Sequence, residues 1–166
     1  LSRVPVVPGS ATIQMTDSNI TLTGAGATLV RVGGFNVAPQ THTGVALIAT
    51  TTDATPDTIT LAGPLLRLAN GVTLTDPATQ VQLTGMTVNQ TGTTSLIVVQ
   101  DPSLATMTGG PFKATNSVLN PTSGVALVTE NSGSSLSVSG HLFDLTGTNL
   151  NLTFGGAPDQ PLVRLA

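Results

Sequence analysis

The stretch Ile59-Thr-Leu-Ala-Gly-Pro-Leu-Leu-Arg-Leu-Ala-Asn-Gly-Val-Thr-Leu-Thr75 lines up without gaps on Leu136-Ser-Val-Ser-Gly-His-Leu-Phe-Asp-Leu-Thr-Gly-Thr-Asn-Leu-Asn-Leu152. Self-similarity of this length marks an internal repeat, and a repeat decides architecture before any residue chemistry does. At the centre of the unit is a four-residue phrase that holds every arginine of the chain: Leu1-Ser-Arg-Val, Leu29-Val-Arg-Val, Leu65-Leu-Arg-Leu and Leu162-Val-Arg-Leu. Leu142-Phe-Asp-Leu puts an aspartate in the same slot. Further copies follow outward. Thr43-Gly-Val-Ala-Leu-Ile matches Ser123-Gly-Val-Ala-Leu-Val, Ile20-Thr-Leu-Thr-Gly matches Val81-Gln-Leu-Thr-Gly, and Phe35-Asn-Val and Phe112-Lys-Ala open two more segments. The spacing is irregular, roughly 18 to 28 residues, within the solenoid range, and gives six or seven units.

Each unit reads as strand. Ile-Thr-Leu-Thr alternates apolar with polar, the period of two that sends aliphatic side chains to one face and threonine to the other. Threonine is β-branched and suits a pleated surface better than a helix. Gly, Pro, Asn and Asp fall between the short runs, where corners need unusual backbone angles. An antiparallel sandwich would also show short alternating strands, but it has no need of corner glycines at matching intervals. Stacked coils do, because equivalent residues lie above one another. The expectation is an all-β, single-domain parallel β-helix, or β-solenoid, over residues 1–166, of about six or seven coils and without significant helix. Ordering each residue costs about 1–2 kcal/mol, more than one coil's few aliphatic side chains return, so neighbouring coils must supply ladder bonds and shared core. At about 4.8 Å per coil the rod would be roughly 30 Å long.

Alternation also sorts the arginine phrase. Val30/Val32, Leu66/Leu68, Phe143/Leu145 and Val163/Leu165 should point inward and leave Arg or Asp outside. With Arg31, Ala49 and Arg67 spaced 18 apart, a small residue would separate two like charges. Asp144 and Arg164, 20 apart, would pair on the surface across about one coil.

Composition narrows the function classes. There are no cysteines, so neither a disulfide framework nor a thiolate metal site is available. A net charge of −3, with five basic residues apart from one another in the sequence, offers no stripe for nucleic acid. The apolar runs are too short for a membrane span. Only 8% of the chain is charged, against about a quarter in typical soluble domains, and 29 threonines take much of the outward surface instead. Two readings fit: threonine suits exposed strand positions, or much of the surface is covered by neighbouring copies.

Candidate chemistry is thin. His141 and Asp144 are close, but their repeat equivalents are Pro64 and Arg67, so a catalytic pair would have to be added at structural positions. His42 reads as a solvated loop histidine. Asp53 and Asp57 flank a Thr- and Pro-rich turn; calcium asks for six to eight oxygens, so turn capping is favoured. Glu130 is the sole glutamate and has no evident acid–base partner. No nucleophile elbow or phosphate loop occurs. Asn19-Ile-Thr, Asn89-Gln-Thr and Asn151-Leu-Thr fit the glycosylation acceptor pattern, a triplet that arises readily in so Asn- and Thr-rich a chain. The expectation is therefore no catalytic, cofactor-binding or metal-ligating residue, no cofactor and no enzyme activity.

The pairs Thr21-Leu-Thr23, Thr58-Ile-Thr60, Thr73-Leu-Thr75, Thr106-Met-Thr108 and Thr146-Gly-Thr148 present hydroxyls at alternate positions. They resemble the Thr-x-Thr ladders of ice-binding β-solenoids, although they occur at several points within the unit. The apolar-Thr-Leu-Thr-Gly and Gly-Pro-Leu-Leu-x-Leu-x-Asn units, over nearly the whole chain, resemble those of repetitive bacterial surface β-helix proteins, the filamentous-haemagglutinin-like adhesins and autotransporter passengers. That resemblance implies an exported scaffold, extracellular or at the cell surface, used for adhesion, matrix or fibre building. Polysaccharide lyases share the expected fold, but this chain lacks the aromatic and charged cleft residues they use on sugars. The arginine phrase stands at both ends of the sequence, which leads to an expectation of end-to-end self-association or continuation into further coils.

Overall fold

A computed structural model of the chain describes residues 11–24, 26–33, 40–42, 44–69, 72–76, 78–100, 104–107, 109–122, 127–131, 133–152 and 163–165. The readings of Arg3, Phe35 and Phe154 lie outside these residues. Among the described residues nineteen short strands wind in order. The first level holds β1 (Ala11–Thr16), β2 (Ile20–Leu22), β3 (Val30–Gly33) and β4 (Gln40–His42). The second holds β5 (Val45–Thr50), β6 (Thr58–Leu61), β7 (Leu66–Ala69) and β8 (Val72–Asp76). The third holds β9 (Val81–Thr84), β10 (Thr87–Gln90), β11 (Ile97–Val99) and β12 (Leu104–Met107). The fourth holds β13 (Phe112–Thr115), β14 (Val118–Asn120), β15 (Val128–Glu130) and β16 (Ser135–Val138). On the fifth lie β17 (Phe143–Thr146), β18 (Asn149–Leu150) and β19 (Val163–Leu165). No described helix is long and apolar enough to cross a membrane.

Every fourth strand stacks. Sheet A is β1-β5-β9-β13-β17, sheet B is β2-β6-β10-β14-β18, sheet C is β3-β7-β11-β15-β19, and sheet D is β4-β8-β12-β16. Pairings such as β5 on β9 and β11 on β15 are parallel. The molecule is a parallel β-solenoid, as expected, but the described residues form five strand levels in place of six or seven. Four rises of about 4.8 Å give a stack nearer 20 Å than 30 Å.

The true coil explains the miscount. In the regular third and fourth levels equivalent residues are 31 apart, so the spacing of roughly 18 to 28 residues read from sequence falls short of a full coil and mixes copies from opposite sheets. Sheets A and C carry similar text, Val81-Gln-Leu-Thr against Leu66-Arg-Leu-Ala, and so do sheets B and D. The corner Gly109-Gly110-Pro111 leads into Phe112 on sheet A just as Ala62-Gly63-Pro64 leads into Leu65 beside sheet C. The two halves of one turn are therefore alike.

Inward files stack aliphatic on aliphatic. On sheet C, Val30, Leu66, Ile97 and Val128 are superposed and 4% exposed or less. Val81, Phe112 and Phe143 form the matching file on sheet A, where the two rings meet edge to face with centroids 5.6 Å apart. Leu61, Leu83, Met86, Leu96 and Leu119 close the core between the sheets. Non-directional apolar burial holds each coil on the next, while the ladder bonds fix register.

Corners recur at fixed points. The residue after the last threonine of sheet A has positive φ at Asp17 (47°), Gly85 (69°), Asn116 (49°) and Gly147 (59°). Those residue types tolerate the left-handed region best. Gly110 combines φ of 82° with a second demand, because a Cβ there would run into the carbonyl oxygen of His141 in the next coil.

Candidate functional site

The outer faces are built from files like those of the core. Sheet A displays Thr16, Thr50, Thr84, Thr115 and Thr146 in one register column, one threonine per level. Around the corner, Ser18, Ser117 and Thr148 each donate a hydroxyl to the carbonyl two residues back, at 2.8, 2.9 and 3.3 Å. The hydroxyls also join coils, since Ser117 Oγ accepts the Met86 N–H at 3.2 Å and Thr148 Oγ1 accepts the Ser117 N–H at 3.3 Å.

Sheet B displays two columns. The first runs Asn19, Thr58, Thr87, Val118 and Asn149; the second runs Thr21, Thr60, Asn89, Asn120 and Asn151. In the second column the Asn120 amide donates to Asn89 Oδ1 and the Asn151 amide donates to Asn120 Oδ1, both at 2.7 Å. This asparagine ladder lies parallel to the backbone ladder. Asn89 and Asn151, noted in sequence as glycosylation triplets, thus serve in it, and Asn19 Oδ1 accepts the Thr58 N–H at 2.6 Å.

The carboxylates have structural employment. Asp17 Oδ1 accepts the Thr52 N–H at 2.6 Å and Oδ2 accepts the Thr52 hydroxyl at 2.5 Å. That hydroxyl bond first, and the amide bond after it, hold the Asp17 carboxyl below its ordinary range. Asp53 Oδ1 caps the Thr55 N–H at 3.0 Å, and Asp57 Oδ2 takes the Thr51 hydroxyl at 3.0 Å, so both act in the turn as capping residues. Asp144 meets Lys113, its ladder neighbour, with Nζ to Oδ2 at 3.3 Å. The expected Asp144–Arg164 pair does not form, because Asp144 stacks on sheet A and Arg164 on sheet C. His141 stands exposed at the corner before β17. His42 takes the register position of Leu74 on sheet D, not a loop. Glu130 falls in the column of Val99 and Leu165, half-buried.

Arg31 and Arg67 are direct ladder partners on sheet C, whereas Ala49 lies in the buried column of sheet A, 1% exposed. The expected small spacer is therefore on another sheet. Arg31, Arg67, Val98 and Arg164 lie in one outward column, with Thr129 at the register position between the last two. Stacking gathers three cations that looked scattered in sequence. The missed signal was the arginine phrase itself, whose recurrence places its arginines on matching strands.

Beside this column opens a cavity of about 240 Å³ lined by Arg67, Thr93, Thr94, Val98, Gln100 and Asn131, with Ser95 at its wall. Arg67 Nε and Thr94 Oγ1 are shielded from solvent there and have no hydrogen-bond partner among the described residues. The Gln90 side-chain amide donates to the Thr94 carbonyl and braces the loop from inside.

The Thr-x-Thr pairs divide among faces. Thr21 with Thr58 and Thr60 belongs to sheet B, Thr73, Thr75 and Thr106 to sheet D, and Thr146 and Thr148 to the A/B corner. No protein-family model, no curated protein and no solved structure matches the chain.

Proposed function

We propose that the chain is a structural scaffold, a β-solenoid segment or subunit of an extracellular fibre or cell-surface protein, extended by stacking coil on coil. One observation carries this reading: polar side chains that could have done chemistry bind one coil to the next at the coil repeat. The asparagine ladder and the Ser117 and Thr148 bridges all span 31 residues. Such side-chain columns add register to a stack whose core is already aliphatic. Strands β1 to β4 pair only with the level above, and β16 to β19 only with the level below, among the described residues. A parallel ladder held in register in this way can be continued by a further coil, and a head-to-tail contact between copies propagates. The resemblance to repetitive surface adhesins agrees with this use and with an exported location. Electron microscopy and light scattering across a concentration series test it. Rods that lengthen with concentration are expected, and strictly monomeric particles at high concentration would remove self-stacking.

Ice binding is the second reading, favoured by Thr21, Thr58, Thr60 and Thr87 lying in adjacent register positions on sheet B. It has less support because the remaining pairs are on other faces. A thermal-hysteresis assay with no effect on crystal growth would dispose of it.

A further inference from the structure

The cavity beside Arg67 lies outside the coil-to-coil bonding that the scaffold reading uses. Its chemistry points to a ligand. A guanidinium carries five N–H donors and no acceptor, and a buried donor left unpaired is unfavourable. Arg67 is in that condition at Nε, and Thr94 Oγ1 shares it. The neighbouring charge raises the demand. Arg31 stacks on Arg67, Arg164 occupies the same column, and the ion pair found among the described residues, Lys113–Asp144, is on sheet A. Among the described residues, then, these arginines have no ion-pair partner beside the concave pocket, and the carboxylate on sheet C, Glu130, falls in the neighbouring column of Val99.

We infer that the cavity binds a carboxylate-bearing sugar, one uronic acid unit of an acidic polysaccharide, with the carboxylate on Arg67. Carboxylate and guanidinium match as a planar, charge-assisted pair. The remaining rim suits a sugar, since Thr93 and Thr94 offer hydroxyls while Gln100 and Asn131 offer amides, each able to donate and to accept. Val98 supplies an apolar patch for a ring face. At about 240 Å³ the space falls below the range of drug-sized pockets and suits a single small unit. Weak affinity per site is expected, and solenoid stacking would multiply it by repetition.

The test titrates the whole chain at low salt with D-glucuronate, D-glucose and acetate, followed by NMR of backbone amides and the Arg67 Nε–H. Glucuronate should bind saturably in the millimolar range, shift amides from Thr93 to Gln100 and move the Arg67 Nε–H resonance. Glucose and acetate should each bind at least tenfold more weakly. Arg67→Gln should lose binding by tenfold or more, Thr94→Val by about threefold, and Lys113→Gln, on sheet A, should leave it unchanged. Should Arg67→Gln fail to fold, Thr94→Val and the wild-type Nε–H shift decide the matter. Equal binding of glucose would overturn the carboxylate's role, and equal binding of acetate would overturn the sugar's. An unmoved Nε–H, or wild-type affinity in Arg67→Gln or in Thr94→Val, would overturn the site.

Discussion

Truncating Leu66 to alanine removes three carbons from the middle of a closed stack. Leu66 is 0% exposed, with Val30 on one side and Ile97 on the other in the same column. Its backbone is also fixed, the amide donating to the Leu96 carbonyl at 3.0 Å. At about 0.8 kcal/mol per buried methylene the transfer loss is about 2.4 kcal/mol. Ladder bonds above and below hold the neighbouring coils apart, so the space cannot collapse and a cavity cost adds to the loss, for about 3–4 kcal/mol in total. Leu150 provides the contrast. It is half-buried on the fifth level and pairs within its column only with Leu119 among the described residues, so Leu150→Ala should cost about 1–2 kcal/mol. Urea unfolding of both variants beside the wild type, with m-values compared to confirm the same transition, measures the difference. If Leu66→Ala cost under about 1 kcal/mol, or no more than Leu150→Ala, the closed aliphatic interior would be wrong.

Other perturbations reach the corners and outer columns. Asn120→Ala removes both bonds of the asparagine ladder and should cost about 1–2 kcal/mol, whereas Asn151→Ala removes one exposed bond and should cost less than about 1 kcal/mol; thermal unfolding of each tests this. Gly110→Ala should destabilise by more than about 1 kcal/mol, since it combines a positive φ with a clash against the His141 carbonyl, and failure to lower the unfolding midpoint would contradict the corner geometry. Lys113→Ala should change stability by about 1 kcal/mol or less, because the pair with Asp144 is solvent-exposed; a salt series on the wild type should show the same weak effect. Asp17 has a folded-state pKa below its unfolded value of about 3.9. The stability it contributes is therefore full above that value and lost as pH falls through the lower, folded one. Asp17→Asn should flatten the acid limb of a stability–pH curve, and an unchanged limb would show that the Thr52 bonds do not matter.

Much of the fold was legible because one residue decides one face. Alternation in Leu66-Arg-Leu put Leu66 and Leu68 inside and Arg67 outside, as found. The period was not legible, for a physical reason. Opposite sheets of a coil meet the same requirements, an apolar column inside and a tight corner afterwards, so their sequences converge. Ile59–Thr75 aligned on Leu136–Leu152 superposes β6 of sheet B on β16 of sheet D, two and a half coils away. The same half-turn error put Ala49 between Arg31 and Arg67 and Arg164 beside Asp144. Corner loops of unequal length hid the rest: Leu22 and Val30 bracket a longer connection than Leu61 and Leu66 do. The cavity beside Arg67 was beyond sequence reading, since it joins β7 to the loop before β11 and to Asn131 after β15, residues that only stacking brings together.

The coil length admits a direct trial by deletion. Removing residues 82–112 joins Val81 to Lys113 and excises one 31-residue turn, keeping each remaining column in register. Removing residues 82–99 excises 18 residues, the spacing suggested by the arginine phrase, and misaligns every column above the cut. Circular dichroism and urea unfolding should show the first deletion folded, with a strand spectrum and a smaller m-value, and the second unfolded or aggregated. Two deletions that folded equally well, or a one-turn deletion that did not fold, would contradict stacking in register.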